Sequence, residues 1–543
     1  MKVAASEWWK TAVIYQIYSR SFFDTNGDGF GDLAGIISKL DYLADLGVDA
    51  IWLTPIYPSP DADYGYDTTD HCAIDPRYGT MDDFDTLVKE AHNRGIKVIM
   101  DIVLAYTSDQ HPWFVESRKS RDNPFHDYYL WRDPAPGSNV PNNWLSIFGG
   151  KAWEYVPELG QYYFHFFYKP QPDPNWRHPG VRKAQLEVFK FWLKRDVDGF
   201  RLDVFNLYFK DGQFRNDPPV SKENRVPGLQ GLRPFEQYDH IYECDRPEMM
   251  PVVKEIRAIL DERPGSYAVG ETLLPTAKKA AGYCGPDKLH QAFNFKLLEC
   301  PWNAKRFLQA ITEWQKALGD NWPNHVLGNH DRKRIAERYA RGEDDGRLKV
   351  AAALLLTLRG TIFIYYGDEI GMRDVHLKRS ELLDPMGRHY WPVNAGRDGC
   401  RSPMQWDGSD HAGFGRARPW LKVHENSRVR NVSAQQKDTD SLLHFYRRLI
   451  QCRKQHRALL DGDFIPVTAD PKDVLAYLRS DESGTIMIVL NFSRKRQKLQ
   501  LEADLAHAKW EILVSTHKRW SIATDKDAFL LNGDEALVLK KTN

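Results

Sequence analysis

Three short runs hold carboxylates in settings that suit chemistry: GFRLDVFN at 199–206, VGE at 269–271 and LGNHD at 327–331. Each is a brief run with an acid at or near its end, the way buried parallel strands deliver side chains to one rim of a barrel. Asp203, Glu271 and Asp331 would then meet at that rim. An ionised carboxylate is a base or nucleophile and a protonated one a proton donor, so unlike surroundings divide the roles within such a set. Arg201, two residues before Asp203, supplies a fixed positive charge that keeps a neighbouring carboxyl ionised. Taken singly, each acid reads more readily as a salt-bridge partner or helix cap. Three at strand ends read as a site.

The elements that must carry these runs alternate strand and helix. Residues 13–17 in AVIYQIY form a strand candidate, and Leu33, Ile36, Ile37, Leu40 and Leu43 give a helical stripe closed by Gly47. A second strand is expected at 50–53. Thr80 with Asp83 makes an N-terminal capping pattern for a helix that buries Phe84, Leu87, Val88 and Ala91, and Gly95 closes it before the strand IKVIMDIV. This βαβαβ order favours a parallel sheet. The rhythm stops over 105–174, which is rich in Pro, Asn, Gly, Trp and Tyr and too long for a plain loop. It resumes with the helix VRKAQLEVFKFWLKR and the strands GFRLDV, YAVGE, AFNF, HVLGNHD and IFIYYG, giving eight strand slots. After about 458, VLAYLRS, IMIVLNFS and ALVLKK read as a compact antiparallel domain. The expected organisation is a barrel over 1–104 and 175–458, an inserted domain over 105–174 and a terminal β-sandwich over 459–543.

A chain of 543 residues is too long for one core. Lys plus Arg and Asp plus Glu are both 74, so no global field favours nucleic acid or an anionic membrane. The first twenty residues lack the apolar stretch of a signal peptide, so a soluble cytoplasmic protein is expected. Six scattered cysteines without CxxC or metal-ligand spacing read as free structural thiols.

The order and residue types of the three acid-bearing runs resemble the α-amylase superfamily, glycoside hydrolase family 13, and the resemblance covers essentially the whole chain from Trp8 onward. It implies a (β/α)8 TIM barrel with a subdomain inserted after the third strand and a C-terminal antiparallel β-domain. It also implies Asp203 as nucleophile, Glu271 as acid/base and Asp331, beside His330, as a carboxylate that grips sugar hydroxyls. Retaining cleavage of a glycosidic bond needs two carboxyl groups about 5 to 5.5 Å apart, one ionised and one protonated. Asp63 and Tyr66 in DYGYD resemble the residues that close the pocket for a non-reducing glucose, Tyr66 stacking beneath the ring and Asp63 joining Arg401 of GRDGCRSPMQW in a charged wall. With Arg201 and His330, Phe148 and Phe167 complete the expected substrate-binding set. QPDPN at 171–175 resembles the fingerprint of the oligo-1,6-glucosidase branch, which favours short substrates.

Two positions bear on specificity. Where the superfamily has Asn-His after the third strand, DIVLAYTSD places Ala105 and Tyr106, and a phenol donates one hydrogen bond but carries no positive charge near neutral pH. Val204 follows Asp203; in this branch Val there accompanies acceptance of α-1,6 links and Thr a preference for α-1,4.

DTNGDGFGD at 24–32 sets oxygen donors at alternate positions around glycines, the loop chemistry of a hard cation. It departs from an EF-hand because the twelfth position is Gly35. It resembles the calcium loop of this branch, which implies structural Ca2+ held by Asp24, Asn26, Asp28, the Phe30 carbonyl and Asp32. Three activities remain open: an exo-acting α-glucosidase able to transfer glucose, a sucrose isomerase or other glucosyltransferase, and a non-catalytic binding subunit. The Arg-Leu-Asp-Arg-Asp loop of some sucrose isomerases is absent and all three acids are present, which favours the first. Expected partners are small α-glucosides of the maltose, isomaltose and sucrose class and alcohol or sugar acceptors, with neither nucleic acid nor membrane.

Overall fold

Eight short runs whose side chains are almost wholly buried pair as parallel strands in the computed structural model, which describes residues 5–222, 233–273, 276–519, 521–525 and 528–542. They are β1 Val13–Ile17, β2 Ala50–Leu53, β3 Lys97–Ile102, β4 Gly199–Leu202, β5 Tyr267–Gly270, β6 Gln291–Ala292, β7 Asn324–Val326 and β8 Thr361–Tyr365. Hydrogen bonding runs in the order β7-β8-β1-β2-β3-β4-β5-β6, a nearly closed barrel. Where a β6–β7 ladder would complete it, side-chain amides span the gap. Gln291 Nε2 donates to Pro323 O and to Thr361 Oγ1, both at 2.9 Å, and Asn324 Nδ2 donates to Ala292 O at 3.0 Å. β6 and β7 are shorter than the runs AFNF and HVLGNHD suggest, so Asp331 lies in the loop five residues beyond β7, whereas Asp203 and Glu271 directly follow β4 and β5.

The two-residue alternation of a strand decides what faces the barrel axis. Ile14, Trp52, Ile99, Val269 and Phe363 share one interior cluster with Phe293, while Val13, Tyr15, Ile17, Ile51, Leu53, Phe200 and Leu202 pack outward against the helices. One step further along the inward-facing series come Gln16, Asp101 and Arg201, all nearly inaccessible to solvent. A polar layer therefore rests on an apolar floor. The β3–β4–β5 register sets Asp101 beside Arg201 and Arg201 beside Val269.

The helices follow their sequence signals. Thr80 and Asp83 form a complete capping box on Met81–Asn93, and the expected first helix is split at Lys39 into Leu33–Ser38 and Leu40–Leu46, ending at Gly47 with φ 92°. Between β3 and β4 the chain carries Trp131–Arg132, Trp153–Val156 and Gln161–Phe164 as a small antiparallel sheet. After Leu460 a five-stranded and a three-stranded antiparallel sheet share one apolar core built from Val474, Met487, Val489, Leu499 and Phe529. All six cysteines are free thiols. No helix among the described residues is long and apolar enough to cross a membrane.

Candidate active site

Arg201 is the hub of the rim. One nitrogen, Nη1, donates to Asp101 Oδ1 at 2.8 Å and to Asp203 Oδ1 at 2.6 Å, while Nη2 donates to Glu271 Oε2. The guanidinium lies 5.2 Å from the ring of Trp52, on the floor below. The other oxygen of Asp203, Oδ2, accepts the Tyr106 hydroxyl at 2.7 Å. Tyr106 thus points at the acid, its ring against Phe167 at 4.9 Å.

A hydrogen-bonded chain supports this cluster from behind. Gln16 Nε2 donates to His330 Nδ1 at 2.7 Å, which leaves the proton of a neutral imidazole on Nε2 to be donated to the Tyr66 oxygen at 2.6 Å. The Tyr66 hydroxyl then donates to Asp101 Oδ2 at 3.1 Å. Burial holds His330 well below its ordinary range, in keeping with that neutral form. Tyr66 lies parallel to the His330 ring, with centroids 5.3 Å apart.

Burial also separates the acids. It pushes the Glu271 carboxyl up to about 8 against the opposing charge of Arg201, and Asp101 up to about 7. Burial raises Asp203 too, opposed by Arg201 and by the Tyr106 hydrogen bond. For Asp331 burial is outweighed by the positive charges of Arg401 and Arg397, which hold it well below the usual carboxylate range.

Around Asp331 stands a wall of alternating charges. Arg401 Nη2 donates to Asp331 Oδ1 at 2.8 Å, and Arg397 Nη2 reaches Asp63 Oδ1 at 2.5 Å and Asp384 Oδ1 at 2.8 Å. The direct ion partner of Asp63 is therefore Arg397 and not Arg401, which acts on Asp63 only through its field. An arginine four residues earlier in GRDGCRSPMQW has the reach, while Arg401 is turned to Asp331 and to the carbonyl of His330 at 2.9 Å. Gln171 Nε2 donates to Asp63 Oδ2 at 3.3 Å, and Asp173 pairs with Lys210 at 2.7 Å, so QPDPN ties the inserted segment to the rim.

A model of the α-amylase catalytic domain matches residues 16–462, and one of the maltogenic amylase C-terminal domain matches 464–530. The chain belongs to the α-amylase family, glycoside hydrolase family 13. It is 43% identical over 494 residues to a probable α-glucosidase of Rhizobium meliloti (strain 1021), covering 90% of each chain. It is 39% identical over 547 residues to an oligo-1,6-glucosidase of Parageobacillus thermoglucosidasius, covering 94% of this chain and 95% of the other. The solved structure of the α-glucosyl transfer enzyme XgtA superposes with a TM-score of 0.93 at 39% identity, over 98% and 99% of the two chains. As a member of the family, the chain is a glycoside hydrolase.

Family 13 membership leaves the local geometry to be accounted for. Val204 sits in the left-handed region at φ 31°, where a β-branched residue costs about 1–3 kcal/mol. The strain follows directly upon Asp203. Gly270, just before Glu271, has no room for a side chain, because a Cβ there would lie 2.2 Å from the Phe205 ring. Phe148 and Phe167 meet edge to face at 5.7 Å, and Arg397 lies 5.1 Å from the Phe148 ring, so both aromatics flank the wall.

The residues expected to hold a cation supply only oxygen, which fits a hard ion. Asp24 accepts from Gly27 N at 2.7 Å and Gly29 N at 3.0 Å, Asp28 Oδ1 from Phe30 N at 2.8 Å, and Asn26 Oδ1 from Asp28 N at 2.9 Å. Asp32 Oδ1 accepts from Gly35 N at 2.6 Å and so caps the next helix. The loop is wound about its own acids. Asp101, Arg397, Asp384, Gln16 and Gln171 complete the site and were not singled out for it in the sequence; inward phase on a strand marks Gln16 and Asp101, and membership of quoted motifs marks Gln171 and Arg397.

Proposed function

We propose that the chain is a retaining, exo-acting α-glucosidase that cleaves short α-glucosides from the non-reducing end and passes glucose to water or to an alcohol or sugar acceptor. The observation that carries this reading is the sharing of Arg201 by Asp203 and Glu271. Two carboxyls held by one guanidinium suit the close spacing of a retaining pair better than the roughly 6.5–9.5 Å that leaves room for an inverting water. Glu271, neutral near pH 7, gives its proton to the leaving oxygen as Asp203 attacks the anomeric carbon. The leaving alcohol departs and a glucosyl ester of Asp203 remains. Glu271, now ionised, takes a proton from an incoming hydroxyl, whose oxygen bonds to the anomeric carbon and frees Asp203. Asp331 and the Tyr106 hydroxyl hold the sugar and the attacking acid, respectively.

The charged wall of Asp63, Arg397, Asp384, Asp331 and Arg401 supports exo action, since a polymer threading past the first glucose would have to displace buried ion pairs. In this reading Val204 bears on linkage preference. The loop at 24–32 would hold structural Ca2+ through Asp24, Asn26, Asp28, the Phe30 carbonyl and Asp32; the ion would contribute stability and no step of the reaction. Proton NMR of fresh digests tests the proposal: α-glucose first from an aryl α-glucoside, release of glucose from maltose and isomaltose, and negligible release of oligosaccharides from starch, are expected. β-Glucose as the first product would refute retention.

A further inference from the structure

Between β4 and the helix Met249–Asp261, Asp217, His240 and Glu243 bring three ligand atoms within 4.8 Å of one another, and all three residues are more than nine-tenths buried. His240 Nε2 donates to the carbonyl of Phe235 at 2.9 Å, and the ring is stacked on Phe235 with centroids 3.7 Å apart. Its orientation is thereby fixed with Nδ1 facing two acids, Glu243 Oε2 at 2.6 Å and Asp217 Oδ2 at 3.6 Å. Asp217 Oδ1 is held by the Tyr242 N–H at 3.1 Å. Among the described residues, no N–H or hydroxyl group donates to two buried oxygens, Asp217 Oδ2 and Glu243 Oε1. Leaving such atoms unsatisfied in the interior is costly.

We propose that this trio is a binding site for a borderline divalent cation of the zinc class, separate from the oxygen-only loop at 24–32. A ring N–H given to a backbone carbonyl, with the other nitrogen turned toward carboxylates, is the arrangement that presents a neutral imidazole to a metal. One nitrogen and two carboxylates suit Zn2+ better than Ca2+, which takes oxygens in larger number. Ligand atoms about 2.0–2.1 Å from a tetrahedral ion stand roughly 3.3 Å apart. The Asp217–His240 pair is near that spacing, and Glu243 would withdraw by less than about 1 Å.

An ion here would fasten a segment that touches the active site from two sides. Phe235 packs edge-on against Phe166 at 5.8 Å; Phe166 meets Phe167, which meets Tyr106. Asp245 Oδ1 accepts from Asn206 Nδ2 at 3.0 Å, and the same amide nitrogen donates to Leu273 O, two residues past Glu271.

The test uses the full chain from zinc-supplemented culture, also stripped with chelator, refilled with Ca2+ and equilibrated with Zn2+ before gel filtration and elemental analysis. About one retained Zn2+ per chain is expected in the wild type and in Asp28→Asn, with affinity lowered at least about tenfold in His240→Gln and in Glu243→Gln. X-ray absorption at the zinc edge on the wild type should show one imidazole in an otherwise oxygen shell, a readout that stands if the variants fail to fold. A wild type that retains no zinc, or a zinc shell without imidazole, overturns the proposal and leaves the trio a proton-sharing cluster. Equal retention by folded His240→Gln and Glu243→Gln overturns it too.

Discussion

Tyr106→Phe isolates one hydrogen bond to the proposed nucleophile. The substitution keeps the ring that packs 4.9 Å from Phe167 and deletes only the hydroxyl that donates to Asp203 Oδ2 at 2.7 Å. Arg201 still holds Oδ1 at 2.6 Å, so the carboxylate stays in place. The lost bond favours the ionised form of Asp203, because the phenol donates and does not accept a proton there. Its removal therefore raises the Asp203 pKa, and the enzyme loses its ionised nucleophile at higher pH than before. A hydrogen bond to a charged group is worth about 1.5–3 kcal/mol, and at about 1.36 kcal/mol per unit this moves the acid limb of kcat/KM upward by roughly one to two units. The basic limb, assigned to Glu271 at about 8, should stay where it is. The pH profile of kcat/KM on a chromogenic α-glucoside, with circular dichroism to confirm folding, gives both limbs at once. An acid limb unmoved in folded Tyr106→Phe would refute the reasoning and reduce the contact to packing.

Three further outcomes follow from the same geometry. Glu271→Gln should lower turnover by at least about three orders of magnitude. Because burial raises the Glu271 carboxyl to about 8, its contribution to stability is complete below the ordinary value of 4.5 and is lost as pH rises through about 8; melting temperatures at pH 6 and pH 9 should therefore fall less in the variant than in the wild type. Arg397→Ala leaves Asp63 and Asp384 buried without their partner, a loss of about 3–5 kcal/mol that denaturant unfolding would read, together with a higher KM for maltose. With the Asp217, His240 and Glu243 trio kept loaded with Zn2+, a calcium-selective chelator should lower the melting temperature through the loop at 24–32 while leaving the initial rate of the still-folded enzyme unchanged, since an ion bound only to the native state stabilises it by mass action.

Local signals carried much of the fold and little of its wiring. Alternation and capping are properties of a few adjacent residues, so β1, β2 and the capping box at Thr80 and Asp83 stand where the sequence puts them. AFNF and HVLGNHD have the composition of strands, yet β6 and β7 are only two and three residues long, because side-chain amides of Gln291 and Asn324 bond across where backbone ladders would extend. Asp203, Glu271 and Asp331 stand out in the sequence because each lies at or near the end of a distinctive run. The partner of Asp63 was not, because two arginines four residues apart both lie in the quoted motif and only the folded wall decides which one reaches it.

Asp101 shows how much of the chemistry rests on residues that only the fold brings together. In the sequence it is one more acid in a buried strand, IKVIMDIV; in the barrel its inward phase and the β3–β4 register bring it to Arg201. A single guanidinium charge then faces three buried carboxyls, and it cannot keep all three ionised in a medium where each bare charge is strongly penalised. The division follows from the remaining donors. Asp101 also accepts from Tyr66 and Trp52, and Asp203 from Tyr106, whereas Arg201 is the one hydrogen-bond partner found for Glu271's carboxyl among the described residues. Glu271 is thus the acid that keeps its proton. In the proposed retaining reaction the unlike states of the two carboxyls would arise from a third acid and from where the aromatic hydroxyls point, and removing the Tyr106 hydroxyl should erode that difference from the Asp203 side.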